Sequence, residues 1–232
     1  KPMGQHAAIY ELDIETDTTE DGLDPAVASV RAVALSGATF DELYVGDEID
    51  ILRSLDARLN GLQPGVVATW NGSAFDLPFL ADRARILGVD LGLKLCLDRR
   101  LTLQRAPLPG HAGAYRASWH DHGHLDTFRI YGESQSAAQR LSLRSLRRLV
   151  GFGAESVHPT RTQTLSNEAL HACAPSDARL ARILAERRWP AAARMIGRVE
   201  WTEAEPVAVA AQRLARLDRS VSSGLRPAVA TY

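Results

Sequence analysis

Apolar and polar residues alternate from Tyr10 through Glu15, the period-two pattern of a strand with one buried face. An acidic loop at 16–24 follows. The Val/Ala-rich run at 26–35 reads as a second strand, Ser36-Gly37 as a turn, and 39–45 as a third strand completing an antiparallel meander. From Asp47 the period lengthens: Ile49, Ile51, Leu52, Leu55, Leu59 and Leu62 recur at helical spacing until Gly61 and Pro64-Gly65 stop the helix. Residues 66–70 form a short apolar run suited to a strand buried on both faces. A loop at 71–74 then leads to a helix at 75–87, ended by Gly88.

Beyond Gly88 the pattern weakens. Residues 92–123 carry Pro107, Pro109, Gly110 and Gly113 and read as a long loop or excursion. Residues 124–127 read as a short strand entering a helical turn at 128–131, and 141–150 as an amphipathic helix closed by Gly151. Ser166 is positioned to cap a helical stretch to 188, interrupted at Pro175. A last helix is predicted over 203–217, with a tail after it. Three strands, a helix, a strand, a helix and then mostly helices imply an α/β domain with a mixed sheet. The ribonuclease H-like arrangement is one such architecture, here with a mixed five-stranded sheet flanked by helices.

The length of 232 residues suits one large domain with extensions. We place that domain at 7–190, with a C-terminal helical extension and tail at 191–232. Hydrophobic (45%) and charged (24%) fractions sit at the globular average and argue against a fibrous or disordered chain. The 27 basic residues, all arginine except Lys1 and Lys94, balance 28 acidic ones. That balance argues against a sequence-indifferent nucleic-acid coat but leaves room for local basic patches. Two cysteines are too few for a disulfide framework. No apolar run approaches the roughly 18 residues of a membrane span, and no basic-then-apolar leader opens the chain. The expectation is a cytoplasmic protein without a membrane partner.

Four carboxylates carry the candidate chemistry. Asp13 and Glu15 project from one face of the first strand, about 6–7 Å apart at the backbone. Such a pair repels and costs desolvation unless water or a cation offsets it. A solvated strand edge, with Glu11 on the same face, is the plainer explanation of the pair alone. Asp76 stands at a helix start, where a capping role competes with a ligand role. Asp177, after Pro175-Ser176, could equally be an exposed helix acid.

Taken together, Asp13-Ile14-Glu15-Thr16 resembles the first motif of the DEDD (DnaQ-like) 3′→5′ exonucleases. Asn71-Gly72-Ser73-Ala74-Phe75-Asp76 resembles their second motif as family B DNA polymerases write it. Asp126-Thr127 with the helix after it resembles the linking segment of the ribonuclease D and proofreading branches. The resemblance implies that Asp13, Glu15, Asp76 and Asp177 are the catalytic acids, holding two Mg²⁺ or Mn²⁺ ions. It also implies that Asn71 and Phe75 help seat the terminal nucleotide. The implied substrate is nucleic acid with a free 3′ end, single-stranded DNA before RNA. Any replication or repair partner is left unnamed.

One departure stands out. The family carries a Tyr four positions before the last Asp, or a His five before, to orient the attacking water. Here those positions hold Cys173 and Ala172, with His171 one further upstream. The general-base slot therefore falls to His171 or Cys173, and a nuclease-like fold that binds nucleic acid or protein without cleaving remains an alternative, as does an exoribonuclease. His120, His122, His124 and Asp126 would share a face if extended, which could suit zinc. A polar loop leading into the strand, with His124 or Asp126 supporting the site, is the preferred reading. Arg140, Arg144, Arg147 and Arg148 form a stripe at helical spacing, either a solvated face or a phosphate track in which Arg144 and Arg148 touch substrate.

Overall fold

The computed structural model describes residues 7–19, 21–99, 108–131 and 179–200. The alternating first segment is strand β1 (Ala8–Thr16), followed by β2 (Val30–Ser36) and β3 (Asp41–Val45) in the expected antiparallel meander. β2 begins later than its composition suggests because Asp24 folds the preceding residues into a turn. Its carboxylate accepts from the Ala26 N–H, and its carbonyl from the N–H groups of Val27 and Ala28. Helix α1 (Glu48–Gly61) is capped by the Asp47 side chain and buries Ile51, Leu52, Leu55 and Leu59. β4 (Gly65–Thr69) is buried throughout, and α2 (Asp76–Leu87) ends on Gly88 in the left-handed conformation.

The region expected to be irregular contributes two further strands, β5 (Leu93–Leu97) and β6 (Tyr115–Trp119), which pair across the long insertion between them. β6 turns at His120-Asp121 into β7 (His122–Asp126), with His120 at φ 48°. Among the described residues three helices follow: α3 (Phe128–Tyr131), α4 (Leu180–Arg187) and α5 (Trp189–Met195). The mixed sheet therefore has seven strands rather than five, in the order β3-β2-β1-β4-β7-β6-β5. The helices expected at 141–150 and 203–217 lie outside the described residues, and α4 is the end of the stretch expected to reach 188.

Parallel pairing of β1 with β4 and of β4 with β7 brings the C-terminal ends of all three strands to one edge of the sheet. In open α/β sheets that edge is where ligands bind. Strand parity assigns the faces. Tyr10, Leu12 and Ile14 enter the core beneath α1 and α2. Ile9 packs with Val66, Leu125, Ile130, Leu180 and Leu184 beneath α3, α4 and α5. Glu11, Asp13 and Glu15 share the parity of Ile9. Among the described residues no helix is long and apolar enough to cross a membrane.

Candidate active site

Glu11 is only 2% exposed. Its two carboxylate oxygens accept from the N–H groups of Ala181 (2.9 Å) and Arg182 (3.0 Å) in the first turn of α4. The acidic stripe of β1 is thus covered at this end rather than solvated. Glu11 satisfies orphan donors at a helix N-terminus, where negative charge is favoured. Burial pushes its carboxyl up to about 8, against the two N–H groups and the Arg182 guanidinium, which pull it down. Just before α4, Arg179 pairs with Asp41 of β3.

Asp13 and Glu15 continue the stripe towards the ligand-binding edge and keep part of their surface accessible. A register shift between Glu15 and Thr16 leaves β2 with an extra residue opposite, a bulge of the kind that re-aims side chains beside active sites. Asp76 reaches the same edge from α2. It is no helix cap: Phe75 occupies that position, without a side-chain hydrogen bond. Burial raises the Asp76 carboxyl to about 7, and repulsion from Asp126 and Glu15 adds to this, while its own N–H and that of Ile14 oppose it. Asp13 is pushed well above the usual carboxylate range by burial first, then by Asp76, Glu15 and Glu11. Burial also raises Glu15. Asp13, Glu15 and Asp76 therefore lie within electrostatic reach of one another.

The loop before Asp76 is held by Asp126 at the end of β7. One Asp126 oxygen accepts from the N–H groups of Asn71 (2.8 Å) and Phe128 (3.0 Å), the other from Ser73 (3.1 Å). Asn71 sits at φ 64°, a conformation Asn tolerates better than most residues. Gly72 folds back so closely that an added Cβ would stand 2.3 Å from the Thr69 hydroxyl. The motif's glycine is therefore a packing requirement. Phe75 is partly buried, its ring 5.6 Å from that of Phe79.

His124 lies on a strand as expected, but that strand begins at His122 rather than after a polar loop, and both rings are buried. His122 accepts from the Gly65 N–H at Nδ1 and bonds the Leu59 carbonyl at Nε2; the Nε2 of His124 meets the Thr69 hydroxyl. Among the described residues no group of three or more His, Cys, Asp or Glu side chains is arranged to hold a metal ion. The histidine strand thus offers no zinc site, and Asp13, Glu15 and Asp76 do not by themselves close around an ion. Asp177, His171, Cys173, Arg144 and Arg148 lie outside the described residues. The donor chemistry of the three described acids, hard oxygens crowded by mutual repulsion, nevertheless suits a divalent cation such as Mg²⁺.

With two parallel strand ends, an acidic pair on the first and a third acid at a helix start, the fold and its family match are those of a DEDD-type 3′→5′ exonuclease domain. Residues 14–141, more than half of the chain, match the family model of the exonuclease domain of DNA polymerase family B, and the chain belongs to that family. It is similar to DNA polymerase 2 of Aeropyrum pernix, with 31% identity over 114 residues, covering 47% of this chain and 13% of that protein. It also resembles the structure of the family B DNA polymerase from the hyperthermophilic archaeon Pyrobaculum calidifontis. There the TM-score is 0.64 with 18% identity over 95% of this chain and 29% of that one, a likeness of fold. The chain spans only a minor part of either polymerase.

Proposed function

We propose that this chain is a metal-dependent 3′→5′ exonuclease acting on DNA. The observation that supports it best is the gathering of Asp13 and Glu15, on one face of β1, with Asp76 of α2 at the edge where the parallel strands end, a setting in which burial first and then neighbouring acids raise their carboxyls. In this reading Asp13, Glu15, Asp76 and Asp177 hold two Mg²⁺ or Mn²⁺ ions. When bound, such ions stabilise charge on the attacking and leaving oxygens of a phosphodiester and activate water. The protein's own part is positional. Asp126 fixes the loop that delivers Asp76, and Glu11 fixes the helix that follows Asp177 in the chain. Asn71 and Phe75, on that same loop, seat the terminal nucleotide.

A second reading, a fold that binds nucleic acid without cleaving it, draws on the lack of a three-donor group among the described residues and on Cys173 where the family has Tyr. End-labelled single-stranded DNA and RNA incubated with Mg²⁺ or Mn²⁺ separate the readings. Stepwise shortening from the 3′ end of DNA that vanishes in Asp13→Ala supports the exonuclease. Binding without shortening supports the second reading, and shortening of RNA alone moves the substrate class.

A further inference from the structure

β6 and β7 pair only through Ser118 with Gly123 and Trp119 with His122, and then part. The chain after α5 enters the fork. Gly197 exchanges both backbone hydrogen bonds with His124 (2.8 and 3.0 Å), and the Val199 N–H donates to the Ser118 hydroxyl (2.6 Å). The wedge is tight. A Cβ on Gly123 would stand 2.7 Å from Ile196 Cγ2 and 3.0 Å from the Gly197 carbonyl oxygen.

A cavity of about 620 Å³ opens over this wedge, lined by Arg99, Arg116, Arg129, Arg194 and Arg198. Two acids, Asp98 and Asp126, share the lining. Asp98 lies 3.5 Å from Arg129, and both Asp126 oxygens already accept backbone N–H groups, so arginine dominates the field of the cavity. Arg116, Arg194 and Arg198 are exposed. The Nε of Arg194 donates to the Pro190 carbonyl and Arg116 reaches the Cys96 sulfur, contacts that orient each guanidinium. The volume lies in the range of whole ligands, about 300–1,000 Å³, rather than of one small ion. Guanidinium forks match phosphate oxygens in pairs. Among the described lining residues the rings of Tyr115 and His124 are buried, Tyr115 against His111, and offer no open face on which a base could stack.

We propose that this arginine-lined fork binds consecutive phosphates of a nucleic-acid strand, holding it beside the acidic edge without reading its bases. The nature of the strand rests on the exonuclease reading above. The link between the two places is Asp126, which lines the cavity and also repels Asp76. Contacts of this kind position a strand and carry no sequence information.

The test measures anisotropy of a labelled, mixed-sequence single-stranded oligodeoxynucleotide on the full chain, in EDTA to prevent cleavage, across a salt series. The Arg116→Ala/Arg194→Ala/Arg198→Ala variant is expected to bind at least tenfold more weakly. Its log K against log salt should be shallower by about two, the loss of roughly three phosphate contacts on a single strand. The matching triple Arg→Lys variant keeps the charge and should recover most of the slope, which a merely structural role for these residues would not predict. Inorganic tripolyphosphate should compete only at far higher concentration than the strand. Unchanged affinity and slope in the alanine variant overturn the proposal, as does tripolyphosphate binding in the fork while the strand binds elsewhere. If the wild type binds through these arginines yet leaves DNA intact with Mg²⁺, the exonuclease reading fails and the fork stands. If the wild type cleaves and the alanine variant binds and cleaves equally well, the fork alone fails.

Discussion

The acidic edge and the arginine fork meet at one residue, Asp126, and are built in opposite ways. At the edge, Glu11 and Asp76 are buried and Asp13 is desolvated, and backbone N–H groups fix the carboxylates of Glu11 and Asp126. In the fork, four of the five arginines are exposed on flexible stems. Chemistry that needs placement within about half an ångström is served by groups locked by backbone and packing. Holding a polyanion needs only the right sign of charge nearby. In the proposed reading the same sheet serves both, because its parallel half aligns strand ends while its antiparallel half splays open.

Removing one charge at the acidic edge gives the largest expected effect and tests the contrast most directly. Asp13→Asn should lower hydrolysis of a 3′-terminal phosphodiester by at least about a hundredfold, the scale of losing one group that stabilises transition-state charge. The same change relieves the repulsion that Asp13 shares with Asp76, Glu15 and Glu11. In EDTA, the variant should therefore melt at a higher temperature than the wild type. Lost turnover with an unchanged or lower melting temperature would mean that the acids are not mutually strained.

Glu11 tests whether the edge depends on its clamp. Glu11→Ala leaves two N–H groups of α4 unpaired in a buried place, at about 1–3 kcal/mol each before any rescue by water. A loss of about 2–4 kcal/mol in chemical denaturation is expected. A smaller effect follows from Asp126→Asn, because the amide can accept from only part of the set Asn71, Ser73 and Phe128. About 1.5–2 kcal/mol of stability should go, as for a hydrogen bond to a charged acceptor. Hydrolysis should fall with it through misplacement of Asp76. Wild-type turnover in Asp126→Asn would remove that residue from the positioning scheme.

These roles differ in how far the sequence announced them. β1 and α1 follow from local periodicity, so Asp13 and Glu15 could be set on one face before any contact was known. Asp76 stood out through the Asn71–Phe75 residues before it. Glu11 did not, since the helix it clamps starts at Leu180, and a strand acid looks the same whether water or a helix end lies above it. β5 alternates Leu93, Leu95 and Leu97 with Lys94 and Cys96, but the prolines and glycines of the insertion hid the partner strand beyond it. The fork was least legible. Its arginines come from Arg99, β6, α3, α5 and the segment after α5, and only the parting of β6 and β7 gathers them.

The smallest expected effect, the pH dependence of the metal-free protein, sharpens the contrast because the edge titrates near neutrality. Asp76 is raised from 3.8 to about 7, and Glu11 from 4.5 to about 8. A raised carboxyl binds more protons folded than unfolded, so its stability is present at low pH and is lost as pH rises through the folded value. His124 works the other way. Burial first, then Arg129, lower it from 6.5 to about 3, so the folded protein loses stability as pH falls below 6.5. Below that point the histidine and the acids oppose each other strongly; between 6.5 and 8 the folded acids dominate, against the tail of the unfolded histidine's titration. In EDTA, stability should therefore fall across pH 6.5 to 8 by about 1–2 kcal/mol, one proton being worth 1.36 kcal/mol per unit. Asp76→Asn should reduce that slope by roughly a third and leave the share of Glu11, while the alanine variant of the fork arginines should leave it in place. Mg²⁺ should add more stability at pH 8 than at 6.5, since it competes with protons for the same carboxylates. A flat wild-type profile in this window would show that the edge carries no strained acids, whatever the arginines beside it do.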